Sequence, residues 1–405
     1  AEIPPIGRAC MMEGFDEACT DPALTLAATR AFLADPSRLG EAFLGRYAVW
    51  TSSGTTTAPG IWVHDARALA VYDALDAVRF CGLEAPGPGM PLADPWWNPL
   101  QVTARRFAMV GATGGHFAGN ASIERQRRIW PWAALHARCF TIMQPVADLV
   151  AELSDFDPTV LATYPTAAEL LAAECRAGRL RIRPREIWVG GEQLSEAVRR
   201  EVAQTFGCRV RQGYGASECL SIAWECPRGT LHLNADWVLL EPVDRQLRPV
   251  PAGSAAHTVL LTNLANHVQP VIRYDLGDNV TVLTEPCACG SAFPAIRIEG
   301  RRDDVLQFDV GAGPVRLLPL ALVTVMEEDA DTFDFQLIGR DPRTLALRLP
   351  DGDDVRSRRR TCHQALRRCL DAHGLRGVRI VDEPQAPARE PVSGKLRRVL
   401  NAGPR

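Results

Sequence analysis

Two spacings of apolar residues alternate along most of this 405-residue chain. Segments in which apolar positions return every three to four residues, such as 66–77 and 167–176, predict amphipathic helices. Between them lie short apolar runs, among them Glu186-Ile-Trp-Val189 and Val259-Leu-Leu-Thr262, which are too short for helices and predict buried strands. From about residue 20 to residue 300 this alternation is the rhythm of α/β layering. The stretch Glu186 to Glu192 predicts a strand that breaks at a glycine pair, with Ser195 placed to cap a helix over 196–206. Strand ends of that kind are where α/β proteins hold ligands.

After Gly300 the texture changes. The run GRRDD is followed by a smaller unit, with a strand pair around 333–338 and 345–349, a basic amphipathic helix over 358–372 and a terminal strand around 378–381. These features divide the chain into a large α/β domain of layered sheets and helices, 1–300, and a small α+β domain, 301–405. No internal repeat and no low-complexity tract interrupts either part.

Composition excludes more than it selects. With 46% hydrophobic and 23% charged residues the chain is an ordinary globular protein, and a net charge of −3 provides no overall field toward nucleic acid or a membrane surface. No apolar run is long enough to span a bilayer, and the amino-terminal AEIPPIG carries no targeting pattern. The twelve cysteines are irregularly spaced, so reduced thiols and a cytoplasmic location are expected.

The candidate chemistry lies in short motifs. TSSGTTTAP, Thr51 to Pro59, crowds hydroxyls around one glycine after an apolar run, which presents donors to an oxyanion. It is not a Walker loop, because no lysine lies between Tyr47 and Arg67. Gly213-Tyr-Gly-Ala-Ser-Glu218 sets an aromatic face beside bare backbone, with a carboxylate suited to magnesium four residues on. In Ile272-Arg-Tyr-Asp-Leu-Gly-Asp278, Asp278 is able to accept from both hydroxyls of a ribose. Pro391-Val-Ser-Gly-Lys-Leu-Arg-Arg398 places Lys395 on a glycine-softened loop. Each motif alone also fits a plain turn or a solvated tail.

The ordered series TSSGTTTAP, VGGEQLS, GYGASE, IRYDLGD, GRRDD and VSGKLRR resembles the adenylate-forming superfamily, in particular its phenylacetate-CoA ligase and coenzyme F390 synthetase branch. The resemblance spans about residues 47 to 398. It implies that Ser52, Ser53, Thr55 and Thr56 cradle the ATP phosphates, that Gly190, Gly191 and Glu192 line the adenine, and that Tyr214 stacks on it. It further implies Glu218 as the magnesium ligand, Asp278 as the ribose anchor and Arg301 as the arginine at the domain junction. Asp303 matches the hinge of a mobile lid, and Lys395 the lysine that bridges carboxylate and α-phosphate. Where the family usually continues its first loop with a glycine and a lysine, this chain has Thr57 and Gly60, one positive charge fewer.

The implied reaction joins a carboxylic acid to AMP and passes the acyl group to a thiol, either coenzyme A or the phosphopantetheine of an acyl carrier protein. An F390-synthetase-like transfer of AMP to a hydroxyl is the alternative, and a catalytically silent binding module is a third. Joint retention of Lys395, Glu218 and Asp278 argues against the third. The acyl pocket is expected between the first loop and VGGE, with Trp97, His116 and Tyr164 suited to an aromatic acid. The six arginines of 356–368 suit the phosphates of coenzyme A or an acidic carrier, and equally a solvated face.

One further cluster belongs to no family motif. Cys287 and Cys289, with Cys226 and His232 brought from another segment, would make a closed four-ligand zinc site clamping 226–232 beside the GYGASE turn. Free cysteines in an ordinary turn fit the same spacing, and Cys219 is a weaker competing ligand.

Overall fold

The computed structural model describes residues 3–52, 60–80, 105–113, 115–142, 144–301, 304–311, 314–317, 319–352, 354–389 and 396–402. Its centre is a nine-stranded sheet made of two unlike halves. In one half the strands Phe107–Gly111, Ala137–Thr141, Val160–Thr163, Glu186–Val189 and Arg209–Ala216 are all parallel. Numbered by sequence, these five lie in the order 2-1-3-4-5, so the winding reverses between Phe107–Gly111 and Val160–Thr163. A crevice opens at the carboxyl ends of strands on either side of such a reversal.

Strand Arg209–Ala216 is where the sheet changes character. It pairs parallel on one side and antiparallel with Cys219–Glu225 on the other. The sheet then continues antiparallel through Leu231–Leu233, Ala295–Arg301 and Asp278–Val282. Helices Val146–Phe156, Pro165–Arg176 and Glu196–Phe206 bury their apolar faces on the parallel half around Leu153, Leu161, Leu171 and Ile187. The antiparallel half packs instead against a three-stranded meander, Val238–Val243, Thr258–Asn263 and Val271–Asp275.

Local signals explain the element ends. Ser195 accepts from the Val198 amide at 3.2 Å and caps Glu196–Phe206, which stops at Gly207 in the left-handed region. Asp65 caps Ala66–Leu75 in the same way. That helix ends two residues short of the predicted span and passes into a π-helical turn, Asp76–Phe80. Such turns recur at functional sites.

The small unit has its own core of Leu306, Phe308, Phe335, Leu347 and Leu366. Its four-stranded sheet runs Arg379–Asp382, Thr344–Arg348, Gln336–Asp341, Val399–Asn401, backed by helix Val355–Ala372. The strand Val399–Asn401, just past the lysine loop, has no counterpart in the sequence reading. Arg301, expected to open the small domain, is instead the last residue of a strand of the large sheet. No helix among the described residues is long and apolar enough to cross a membrane.

Candidate active site and metal cluster

A cavity of about 630 Å³ opens at the carboxyl ends of the parallel strands, bounded on its far side by the antiparallel half. Each motif turn delivers a side chain to it. The hairpin Gly213–Cys219 requires glycine at 215, because a β-carbon there would stand 1.9 Å from the Leu220 carbonyl oxygen. That close turn fixes Tyr214 and Glu218, which line the cavity although only 8% and 6% exposed.

The Tyr214 hydroxyl donates to Asp278 Oδ2 at 2.7 Å, while Arg301 Nη1 lies 3.0 Å from Asp278 Oδ1. Asp278 and Arg301 are register partners on neighbouring strands, so the ion pair is built into the sheet. Burial first, then the Asp278 carboxylate, raise the Tyr214 phenol well above its ordinary value and keep it a donor. Burial likewise raises the Glu218 carboxyl, offset in part by the Tyr274 hydroxyl and by Arg8 and Arg301. An acid so enclosed is stabilised by a cation, which is what a magnesium ligand requires.

Glu192 ties together segments far apart in the chain. Its Oε2 accepts from the Thr166 amide and hydroxyl, at 3.2 and 2.8 Å, and its Oε1 accepts from the Leu396 amide at 3.2 Å. Arg397 pairs with Asp304, and Arg398 bridges Glu169 in helix Pro165–Arg176 and Glu327, which follows Pro319–Thr324. The chain that follows Lys395 is therefore docked on the cavity rim. Gly190 and Gly191 line the cavity, as does Tyr164, whose hydroxyl accepts from the Ala112 amide at 3.3 Å across the winding reversal.

Ser52 stands at the neck of the hydroxyl-rich loop. Its hydroxyl accepts from the Gly60 amide at 2.8 Å, and its own proton is left to donate toward the cavity that it lines. Ser53, Thr55, Thr56, Trp97, Asp303 and Lys395 lie outside the described residues. His116, expected in the acyl pocket, does not line the cavity. It is buried, its ring centroid 5.5 Å from that of Phe32 and its Nε2 3.2 Å from the Asp35 carbonyl.

Among the cavity residues that the sequence did not single out are Arg8, Asp76 and Trp224. Arg8 arrives because Ile6 forms a β-bridge with Tyr274, a contact no local pattern announces. A buried polar network supports the site from beneath. Trp50 Nε1 and His64 Nε2 both donate to the Ser217 carbonyl, at 2.8 and 3.1 Å, and Asn263 donates to that of Glu218 at 2.9 Å. Complete burial drives the His64 imidazole down to about 3, so it stays neutral.

The ligand atoms of Cys226, His232, Cys287 and Cys289 all lie within 4.8 Å of one another. Cys226 and Cys287 sulfurs are 3.8 Å apart, and Cys289 Sγ is 3.3 Å from His232 Nε2. A tetrahedron with metal–sulfur bonds of about 2.3 Å has edges of about 3.8 Å, so these four donors have the spacing of zinc ligands. His232 Nδ1 lies 2.9 Å from the Phe293 carbonyl, which orients Nε2 into the cluster. The cluster lies beside the start of the GYGASE motif, where Gly213 is the register partner of Trp224 and Trp224 that of His232, and away from its Glu218 end. Cys226 follows strand Cys219–Glu225 and Glu218 precedes it, which separates them by roughly 25 Å at about 3.3 Å per residue. Cys219, at the Glu218 end, is buried apart from the four.

Comparison with known proteins agrees with this arrangement. Residues 126–255 match the AMP-binding enzyme family. Over 165 residues the chain is 32% identical to the phenylacetate-coenzyme A ligase of Thermus thermophilus, covering 38% of this chain and 36% of that protein. Over 162 residues it is 26% identical to protein CapK of Staphylococcus aureus, covering 39% and 34%. The chain thus spans about a third of the length of the curated relatives it matches. Among solved structures, a 2-hydroxyisobutyryl-CoA ligase in the postadenylation state superposes with a TM-score of 0.66 at 18% identity, over 99% of this chain and 80% of that one. A benzoate CoA ligase from Burkholderia xenovorans LB400 superposes with a TM-score of 0.58 at 17% identity, over 87% and 68%. The fold is that of the adenylate-forming ligases. Within that fold, the likeness to the AMP-binding enzyme family and to phenylacetate-CoA ligase is carried by part of the chain, residues 126–255 for the former and 165 residues for the latter.

Proposed function

We propose that this protein is an AMP-forming acid–thiol ligase: it joins an organic acid to AMP and then transfers the acyl group to coenzyme A. The observation that carries this reading is the convergence of Glu192, Tyr214, Glu218, Asp278 and Arg301 on one cavity, with the segment after Lys395 docked at its rim. Aromatic acids fit a pocket flanked by Tyr164, Phe117 and Trp188. A carrier-protein thiol is the other acceptor the reading admits.

The roles follow from charge. Asp278, held by Tyr214 and Arg301, keeps acceptor capacity for ribose hydroxyls. Arg301 adds positive charge beside the α-phosphate, and Lys395 brings a second cation from the small domain to the oxygens where charge accumulates. Adenylate-forming enzymes use ATP with magnesium; Glu218 would hold that ion, which supplies positive charge against the phosphate oxygens. Residues 301–304 serve as the hinge, with Asp303 absorbing the change of dihedral between the two half-reactions. We assign zinc to the Cys226, His232, Cys287 and Cys289 cluster, as a structural clamp between the turn after strand Cys219–Glu225 and the loop before Ala295–Arg301.

ATP–pyrophosphate exchange across a panel of acids tests the first half-reaction, and acid-dependent consumption of coenzyme A thiol tests the second. Exchange with no acid in the panel would defeat the reading. AMP appearing on a hydroxyl acceptor would replace it with adenylyl transfer.

A further inference from the structure

Asp76 is a carboxylate without an assignment. It begins the π-helical turn Asp76–Phe80 and lines the cavity, to which its surface is open. Its Oδ1 accepts from the Ser221 hydroxyl at 2.6 Å. Ser221 lies three residues beyond Glu218 along an extended segment, roughly 10 Å from it at about 3.3 Å per residue, and both line the cavity. That distance leaves room for a ring-sized acyl group between the adenylation end and Asp76.

The cations nearby are already engaged. Arg79, three residues on, pairs with Asp236 at 2.6 Å and donates to Asn234 Oδ1 at 2.7 Å. Arg125 faces Asp73 at 3.9 Å. Asn234 is itself fixed, since its Nδ2 donates to the Ser221 carbonyl at 3.0 Å. No counter-ion for Asp76 is found among the described residues. Enclosure by the surrounding protein, followed at some distance by the negative charge of Asp73, raises its carboxyl to about 6 despite the Ser221 bond. What this end of the cavity offers is acceptors, namely the Asp76 oxygens and the lone pairs of Ser221 Oγ, held on a rigid backing.

We propose that the acid activated here carries a hydrogen-bond donor, an amino group or a hydroxyl, on the part of the molecule remote from its carboxylate, and that Asp76 accepts from it. The assignment rests on the ligase reading for its reaction and on the cavity geometry for its chemistry. An acid with only a methyl group at that position covers the carboxylate without adding a donor to the one that Ser221 supplies, and a site built to accept from a substituent rejects the analogue that lacks it.

The test uses matched acids: 4-aminobenzoate and 4-hydroxybenzoate against 4-methylbenzoate, and 6-aminohexanoate against heptanoate. Each is measured by pyrophosphate exchange and, without ATP, by calorimetric binding to the intact protein. In at least one set the donor-bearing acid should be favoured over its methyl partner by at least about ten-fold. Asp76→Leu should remove or reverse that ratio, and Asp76→Asn, closest in shape, should shrink it if the leucine variant does not fold. The amino and hydroxyl arms tell the two donors apart. Equal or better use of the methyl acids, a ratio unchanged by both substitutions, or no donor preference in either readout would overturn the proposal. Donor-selective binding that depends on Asp76, with no exchange, would uphold the pocket while defeating the ligase reading.

Discussion

Strand Cys219–Glu225 has a different chemistry at each end. At its start, Glu218 belongs to a site gathered from many elements around an open cavity. At its finish, Cys226 belongs to a cluster of four soft donors directed at a single point. An open arrangement suits reactants that enter, change charge and leave, whereas a closed one fills every coordination position and holds the fold. Damage at one end should therefore appear in rates, and damage at the other in stability.

The sharpest way to break that contrast is Lys395→Ala. Exchange activity should fall by about 10³-fold, with nucleotide binding, melting temperature and metal content little changed, because the lysine acts where charge develops. Activity retained within a few-fold would remove the small domain from the chemistry. Cys289→Ser should do the reverse. Metal analysis should show about one zinc in the parent and far less in the variant, with a melting temperature lower by on the order of 5 °C and exchange preserved in the cold. Loss of exchange from the folded variant would show that the two ends are coupled.

Acidity provides a third comparison, because the cavity end rests on neutral His64. The folded imidazole titrates near 3 against 6.5 for an ordinary histidine, so the unfolded chain takes up a proton that the folded one refuses. This contribution to stability is complete above about pH 6.5 and is lost as pH falls toward 3, the loss amounting to about 2 kcal/mol by pH 5. Chemical denaturation of His64→Gln should show a correspondingly smaller loss between pH 7 and pH 5. An identical loss would mean that other groups dominate.

The smallest effect is expected on the helix Val355–Ala372. Of its six arginines, Arg359 faces Asp382 at 3.9 Å and Arg367 donates to the Arg376 and Val378 carbonyls, while Arg356, Arg360 and Arg368 are exposed. At 100° per residue these three fall within about 120° of one another. Reversing Arg356 and Arg360 to glutamate should raise the Michaelis constant for the thiol acceptor a few-fold at low salt and leave exchange unchanged. No change at low salt would return the helix to plain surface.

What could be read beforehand was whatever the chain encodes locally or with rare residues. The run from Glu186 to Phe206 carries its strand, its glycine break and its serine cap in one window, and it forms as read. Cysteine and histidine are distinctive enough that two segments 61 residues apart could be matched into one cluster. His116 misled because its glycine-rich surroundings resemble a binding loop, whereas packing against Phe32 decides where the ring goes. Arg8 and Asp76 were invisible, since an arginine and an aspartate in helical segments are commonplace until another part of the chain closes on them. Val399–Asn401 is too short for any periodicity to show.

Trp224 gives the two ends of the strand an optical link. Its ring centroid lies 5.4 Å from that of His232 and 32° from coplanar, and the same side chain lines the cavity. It is therefore a built-in fluorophore shared by both. Cobalt(II) substituted at the cluster should quench indole emission, and filling the cavity should shift its wavelength by displacing water. It is one of nine tryptophans, so a Trp224→Phe difference spectrum would isolate its share. Occupancy of the cavity and of the cluster could then be followed in one cuvette without a label.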